Sequence, residues 1–389
     1  MTGSARTRIL LSGDEGPGTL AAVRGLHAGG YDVWLAVSQS DTYAARSRRL
    51  AGLLEVISPA SDSEQHVREL ADATASLGVR VVLPGTEGSL RAVTGREQAF
   101  PDGTAVGTCP PEVLQRATNK GLLTQLAREA GLEGPPSFAL SARQDDFDNL
   151  PFPAVVKPMR TADDAGQRIR VSEVEAVANP AELRQLLDAR PEDSEVLLQP
   201  QIDGTLAAIC GVAWQGELVC AVHQRSPRIW PPNRGISAYA ITTPPDRERE
   251  DGVAALVRSL GWSGIFGVQF LLSDGHAYVI DFNPRIYGSL ALAIASGLNL
   301  PAIWTDLLLG RPPAPARYRS GVHYRAEEDD YRALARLFRR GERAEALLGF
   351  LPRPRTVYAV FALTDPGPLL VSLEKLGRMF ATWRHEAPR

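Results

Sequence analysis

Cysteine is scarce: Cys109, Cys210 and Cys220 are the only three. An odd count without metal spacing gives neither a disulfide framework nor a sulfur-ligated metal centre, and it fits a reducing cytosol. No run of about 18 apolar residues occurs, so no membrane span is expected. The short apolar run Ile9-Leu10-Leu11 is too brief for a secretory signal. None of the six histidines, His27, His66, His223, His276, His323 and His385, falls in a metal or triad pattern. Long blocks of one charge are also missing, and with a net charge of -3 and a pI near 6.1 no global basic field points to nucleic acid. Internal repeats are absent, which removes solenoids and propellers.

What remains is a chain of 389 residues, 44% hydrophobic, long enough for two or more domains around sizeable cores. Residues 7–110 alternate strand and helix signals: strands at Arg8–Ser12, Tyr31–Val37, Leu54–Ile57 and Val79–Leu83, and a helix at Thr19–Ala28. That order predicts a parallel, doubly wound sheet in an α/β protein. The turn Gly13-Asp-Glu-Gly-Pro-Gly18 is spaced G-x-x-G-x-G, and no acidic residue closes a following strand, which argues against a dinucleotide site. Pro84 to Ser89 reads as a ligand-side loop or a plain connection.

The most informative stretch runs from Gly267 to Ser289. The even positions Phe266, Val268, Phe270 and Leu272 are apolar, as are Tyr278, Ile280 and Phe282, and this period of two on both sides of Ser273-Asp274-Gly275 reads as two antiparallel strands joined by a turn. A three-residue turn with Gly275 left-handed would put both apolar sets on one face, whereas a two-residue turn would separate them. The other face then carries Gln269, Asp281 and Asn283, with Arg285 beyond. Three oxygen-bearing side chains on one face suit a hard cation; a half-exposed hairpin with its polar face in water is the alternative. Pro284 ends the ladder. Tyr287-Gly288-Ser289 then leads into an apolar helix whose start can present N–H groups to an anion.

These residues resemble the metal-binding core of the ATP-grasp superfamily, and Val268-Gln269-Phe270 is similar to its carbamoyl-phosphate-synthetase-like branch. The resemblance implies that Gln269, Asp281 and Asn283 hold Mg²⁺, or Mn²⁺ in its place, and that Arg285 faces the transferring phosphate. Asp281 stands where the family more often has Glu.

Phe152-Pro-Ala-Val-Val-Lys-Pro158 is an apolar strand with one inward lysine, which is costly unless the ammonium meets an anion. It resembles the ATP-grasp strand whose lysine binds the nucleotide phosphates, which assigns Lys157 that role. Lys120, opening the helix Asn119–Ala130 after the helix Pro111–Ala117, matches a second phosphate-binding lysine. The following segment, Met159 to Gly166, has one glycine where the family folds a glycine-rich flap, leaving Arg160 or Arg168 to supply contacts. Glu195–Gln199 and Pro200-Gln-Ile-Asp-Gly204 resemble the adenine hinge, so Gln199, Gln201 and Ile202 would line the nucleotide. Pro200 and the lack of an acidic residue after Gly204 depart from that pattern.

Leu206–Trp214 and Leu218–His223 form a hairpin around Gln215-Gly216, followed by an Arg-rich segment, Gln224 to Tyr239. Proline and glycine rigidify it as a loop, and Arg225 and Arg228 can form a clamp for an anionic substrate; an exposed basic loop is the alternative. In ATP-grasp carboxylate–amine ligases a similar segment lies near the acyl phosphate. Arg228 is thereby a catalytic candidate beside Arg285, and Gly288 and Ser289 join Arg225 and Arg228 as substrate contacts. A helix at Glu250–Leu260 precedes the metal hairpin. Helices at Leu290–Gly297 and Ala302–Leu309 follow it, then a linker at 310–315. Strands at Gly321–Ala326 and Thr356–Leu363, charged helices around 329–348 and a last helix, Leu369–Phe380, read as a tail packed on the body.

The fold so implied is α/β, with α+β character in the ATP-grasp part. A Rossmann-like domain (1–110) precedes linker helices and a lid (111–205), a central antiparallel-sheet domain (206–312) and an extension (313–389). The implied function is an ADP-forming ligase in the cytoplasm. ATP would activate a small-molecule carboxylate as an acyl phosphate that an amine then attacks, without nucleic acid or membrane partners and with a homodimer allowed. A bicarbonate or thiol acceptor, or a nucleotide sensor that has lost turnover, are the alternatives.

Overall fold

The computed structural model describes residues 6–13, 16–142, 146–147, 149–159, 174–191, 194–232 and 235–374. Arg160, Arg168 and the end of the expected helix Leu369–Phe380 lie outside them; residues 367–374 are helical.

The chain begins with β1 (Arg8–Ser12), α1 (Pro17–Ala28), β2 (Asp32–Val37), β3 (Leu50–Glu55), α2 (Ser63–Leu77), β4 (Val81–Pro84), α3 (Glu87–Val93) and β5 (Ala105–Val106). Its five strands form a parallel sheet of order β3-β2-β1-β4-β5. Strand β3 begins four residues before the expected Leu54. Gly52 explains why: the ring of Trp34 on β2 lies against it, where no side chain fits. The segment after β4 is the start of a helix, since the Thr86 side chain caps α3 by accepting from the Ser89 N–H at 3.1 Å.

Next come α4 (Pro111–Ala117), α5 (Lys120–Glu129), β6 (Phe138–Ser141), β7 (Ala154–Pro158), β8 (Glu175–Val177), α6 (Pro180–Asp188) and β9 (Glu195–Pro200). A four-stranded antiparallel sheet of order β6-β9-β7-β8 forms here around its own small core of Leu140, Val156, Leu183 and Leu198.

The remaining elements are β10 (Thr205–Trp214), β11 (Glu217–Trp230), β12 (Ile236–Thr242), α7 (Arg247–Leu260), β13 (Gly264–Ser273), β14 (His276–Asn283), α8 (Leu290–Ser296), α9 (Leu300–Leu308), β15 (His323–Arg325), α10 (Glu327–Arg339), α11 (Arg343–Phe350) and β16 (Thr356–Tyr358). They build a seven-stranded sheet of order β14-β13-β10-β11-β12-β15-β16. The segment after 313 is therefore more than a tail, because it supplies two strands of this sheet. The expected strand Thr356–Leu363 shortens to three residues.

Alternation along the strands splits this sheet's faces cleanly. Ala208, Cys210, Val212 and Ile265 join the core shared with α1, α8 and α9. Ala207, Ile209, Phe266, Val268 and Phe270 pack against α4, α5 and α7 on the other side. Among the described residues no single helix is long and apolar enough to cross a membrane.

Two expectations about this sheet are corrected. Strand β11 continues to Trp230 and pairs with β12, so most of the Arg-rich segment is strand instead of loop. The β13–β14 turn has two residues, Asp274 and Gly275, both at positive φ (48° and 84°). The ladder runs Ser273↔His276 to Phe270↔Val279 and then resumes at Gln269↔Asp281, leaving Ile280 as the extra residue of a β-bulge. Val279 and Ala277, not Tyr278 and Ile280, consequently share the core with Phe270 and Leu272, while Phe282 joins them beyond the bulge.

Candidate active site

Beyond the bulge, Gln269 faces Asp281 directly, and the row continues through Ala208 on β10 to Gln224 on β11. Asn283 lies two residues along β14 from Asp281, on the same face and opposite Gly267. Three side chains with hard oxygen donors thus share one end of the sheet face, beside the part that packs on α8 and Tyr287.

The four-stranded sheet brings Lys157 to this row. Its Nζ donates to the carbonyl of Ile280 at 3.3 Å, and the side chain is only 8% exposed. Burial is the main reason its pKa falls from the usual 10.5 to about 8; Lys120 pushes in the same direction and Asp281 opposes both. Lys120 reaches this position because its backbone N–H donates to the Met159 carbonyl at 3.1 Å, joining the start of α5 to the end of β7. Asn119 caps α5 through the Leu122 N–H at 3.1 Å. The protein has only three lysines among its 42 basic residues, and two of them meet here. That scarcity is a sequence signal that motif reading passed over.

Gln199 sits on β9 beside Val155, with its side-chain nitrogen donating to the Ser137 hydroxyl at 2.9 Å. The Gln201 N–H donates to the Pro153 carbonyl at 2.9 Å, and Ile202 is partly exposed beside it. Arg285 is half-buried, with Nη1 donating to the Ile286 carbonyl at 2.9 Å among its contacts. Gly288 is exposed and Ser289 buried. The Ser289 hydroxyl does not cap α8; it exchanges hydrogen bonds with the Gln224 amide at 2.9 and 3.2 Å. Gln224 was missed in the sequence because the segment was read as loop, where alternation assigns no face.

Arg225 and Arg228 are not brought to this row. Arg225 pairs with Ala207, which pairs with Phe270, so it lies on the face of the second core. It lines a cavity there of about 280 Å³ with His223, Asp246 and Arg249. Arg228 stacks on Tyr239, 4.2 Å from the ring centre, and forks onto Asp330 at 2.5 and 3.0 Å. Its guanidinium is committed to a buried carboxylate of the segment after 313.

Residues 192–329 match the family described as ATP-grasp in the biosynthetic pathway with Ter operon. The carbamoyl phosphate synthase large chain of Gemmatimonas aurantiaca is 26% identical over 224 residues, covering 54% of this chain and 20% of that protein. The chain thus spans about a fifth of that relative's length. Among solved structures, an L-amino acid ligase from Bacillus licheniformis shares the fold at a TM-score of 0.57 and 17% identity, over 78% of this chain and 75% of that one. The N5-carboxyaminoimidazole synthetase of Staphylococcus aureus, solved with ADP, does so at 0.59 and 14%, over 80% of each. The centre of the chain thus matches an ATP-grasp family model in sequence, and most of its length shares a fold with these two solved structures.

Proposed function

We propose that the protein is an ADP-forming ligase that uses ATP and Mg²⁺ to activate a small-molecule carboxylate as an acyl phosphate, which an amine then captures. The observation that carries this reading is the meeting of Lys157 and Lys120 with the Gln269–Asp281 pair, since phosphates and a hard cation need such groups at one place. The donor set has one carboxylate and two amides. That fits a cation shared with phosphate oxygens better than a cage made of protein alone. Gln269, Asp281 and Asn283 would hold it, and it would neutralise charge on the transferring phosphoryl group. Mn²⁺ has the same donor preferences.

In this reading Lys157 and Lys120 bind phosphate oxygens, and Arg285 faces the phosphoryl group as a fixed counter-charge. Ser137 holds the Gln199 side chain and Pro153 the Gln201 N–H, leaving the Gln201 carbonyl and the backbone of Ile202 for the base. Gly288 and Ser289, fixed by Gln224, line the acceptor side. The catalytic work is positioning and electrostatics, so no histidine base or nucleophile is required. Residues 1–110 serve as a Rossmann-like domain that shapes the acceptor cleft, 111–205 as linker helices and lid, 206–312 as the central domain and 313–389 as an extension. A small-molecule substrate, a cytoplasmic setting and a homodimer are parts of the same proposal.

The test is steady-state release of ADP and phosphate with ATP or GTP across a panel of amino acids, small acids and amines. Carboxylate-stimulated ADP release is the expected result. AMP and pyrophosphate as products would exclude the acyl-phosphate route. A second reading, a nucleotide sensor, is favoured by Pro200, which stands on β9 where the family has an acidic residue; tight ATP binding without stimulated hydrolysis would support it. Stimulation by bicarbonate or a thiol alone would move the acceptor assignment and keep the rest.

A further inference from the structure

Strand β11 carries Gln224, which holds the acceptor side of the proposed site, yet its ladder with β12 is irregular where it leaves that site. Register shifts fall between Arg225 and Arg228 and again between Arg228 and Ile229. A bulged stretch has fewer regular backbone pairs to hold its direction, so something else must fix it. Asp330 lies at this point. It comes from the first turn of α10 and is fully buried, and both its oxygens accept from Arg228. Arg325 on β15 approaches the same carboxylate at 2.9 Å. The two guanidiniums lie 4.2 and 5.7 Å from the Tyr239 ring centre, and the Tyr239 hydroxyl pairs with His323 Nδ1 at 2.7 Å. Arg325 also donates to the Gly349 carbonyl at 2.5 Å, which adds α11 to the group.

We infer that Asp330 is a positioning residue for the β11–β12 hairpin: its fork onto Arg228 replaces the missing ladder and sets where Gln224 and Ser226 stand on the opposite face. Gln224 holds Ser289, and the Ser226 hydroxyl meets that of Ser237 across the hairpin at 2.7 Å. A shift at the Arg228 bulge therefore moves the acceptor side directly and leaves the lysines on β7 and α5 in place. Arg228 acts through this fork and does not touch substrate. The inference rests on the ligase reading for its kinetic consequence but not for its structural one.

The experiment compares wild type with Asp330→Asn, which keeps the shape and removes the charge, and with the triple variant Arg228→Met, Arg325→Met and Asp330→Leu, which replaces all three buried ions by apolar groups. Hydrogen exchange over 224–242 should quicken at least tenfold in Asp330→Asn, while peptides of β7 and β9 stay unchanged. The KM for a carboxylate that stimulates ADP release should rise at least tenfold, with binding of a fluorescent ADP–Mg²⁺ probe altered less than twofold. The triple variant should fold as wild type and keep the raised KM, because packing lacks the direction of a fork. Unchanged exchange and KM in Asp330→Asn would overturn the inference, and so would equal losses in probe binding and KM, or a triple variant with wild-type KM. Should no carboxylate stimulate the wild type, the ligase reading falls, and exchange over 224–242 still decides the role of Asp330.

Discussion

Lys157 on β7 donates to the carbonyl of Ile280, the one residue that the β13–β14 ladder leaves out. Strand β14 is the edge of its sheet, so only alternate carbonyls pair with β13, and at the bulge that of Ile280 is taken by Lys157 instead. That oxygen gives the buried ammonium a partner. The same bulge restores the parity by which Asp281 faces Gln269 and Phe282 faces Val268. One extra residue thus sets both the metal row and the contact between the two sheets.

Replacing Lys157 by Met should separate stability from function. The lysine's folded value, about 8, lies below the usual 10.5 because burial penalises the charged form. The folded state therefore binds fewer protons than the unfolded state between those values, and wild-type stability rises with pH across that window. Below about pH 8 the full cost is present. At pH 7 the Met variant should be more stable by about 1–3 kcal/mol, with the gain fading towards pH 10.5, and should lose most affinity for ADP–Mg²⁺. Thermal melts at pH 7 and 10 with a nucleotide titration check this. A Met variant less stable at pH 7 would mean that the Ile280 bond outweighs desolvation.

Deleting Ile280 should regularise the ladder. Phe270↔Val279 would then be followed by Gln269 opposite Asp281 without a gap, so the metal row survives while the carbonyl that Lys157 uses is lost. The variant is expected to fold, to retain Mg²⁺-dependent nucleotide binding and to show faster hydrogen exchange in β7. Loss of metal dependence would show that the bulge also aims Asp281.

Much of this was readable in the sequence, and the misses have physical causes. Alternation in Gly267–Asn283 shows that one extra residue lies somewhere between Phe270 and Phe282, but an odd turn and a bulge satisfy the same parity. Asp274-Gly275 decides between them, because both residues take the left-handed conformation that a two-residue turn demands. Arg228 was legible as a charge in a proline-rich segment. Its partner Asp330 lies 102 residues on, and no local pattern reports it. The strands β15 and β16 are three residues each and defined by whom they pair with, so their bounds escaped a reading based on periodicity. Lys157 was legible because a lysine in an apolar strand before proline has few bland explanations.

Asp281→Asn keeps the size of the side chain and removes the only carboxylate among Gln269, Asp281 and Asn283. A hard cation then meets three neutral amides, and Lys157 loses the charge that opposes its desolvation. Mg²⁺-dependent ADP release should fall at least tenfold, about 1.4 kcal/mol, and the Mg²⁺ concentration for half activity should rise. Full activity at the wild-type Mg²⁺ requirement would remove Asp281 from the site.

The last prediction concerns how the segment after 313 is tied to the first domain. Asp365 is 1% exposed. It accepts from Arg24 Nε at 2.9 Å, the Ser47 hydroxyl at 2.8 Å and the Arg48 N–H at 2.8 Å. Burial alone would raise its pKa, but these donors outweigh it and hold the carboxyl below its usual value. A depressed carboxylate contributes stability above its unfolded value, near pH 4, and that contribution is lost as pH falls through the lower folded value. Asp365→Asn should therefore cost about 1–3 kcal/mol at pH 7, and its difference from wild type should shrink from pH 5 towards pH 3. Hydrogen exchange at 367–374 is the local readout, since that helix follows Asp365 directly and buries Val371. It should quicken in the variant at pH 7, and in wild type only on acidification. A variant indistinguishable from wild type at pH 7 would assign the docking to Val360 and Val371 in the apolar core, with the ion pair contributing nothing measurable.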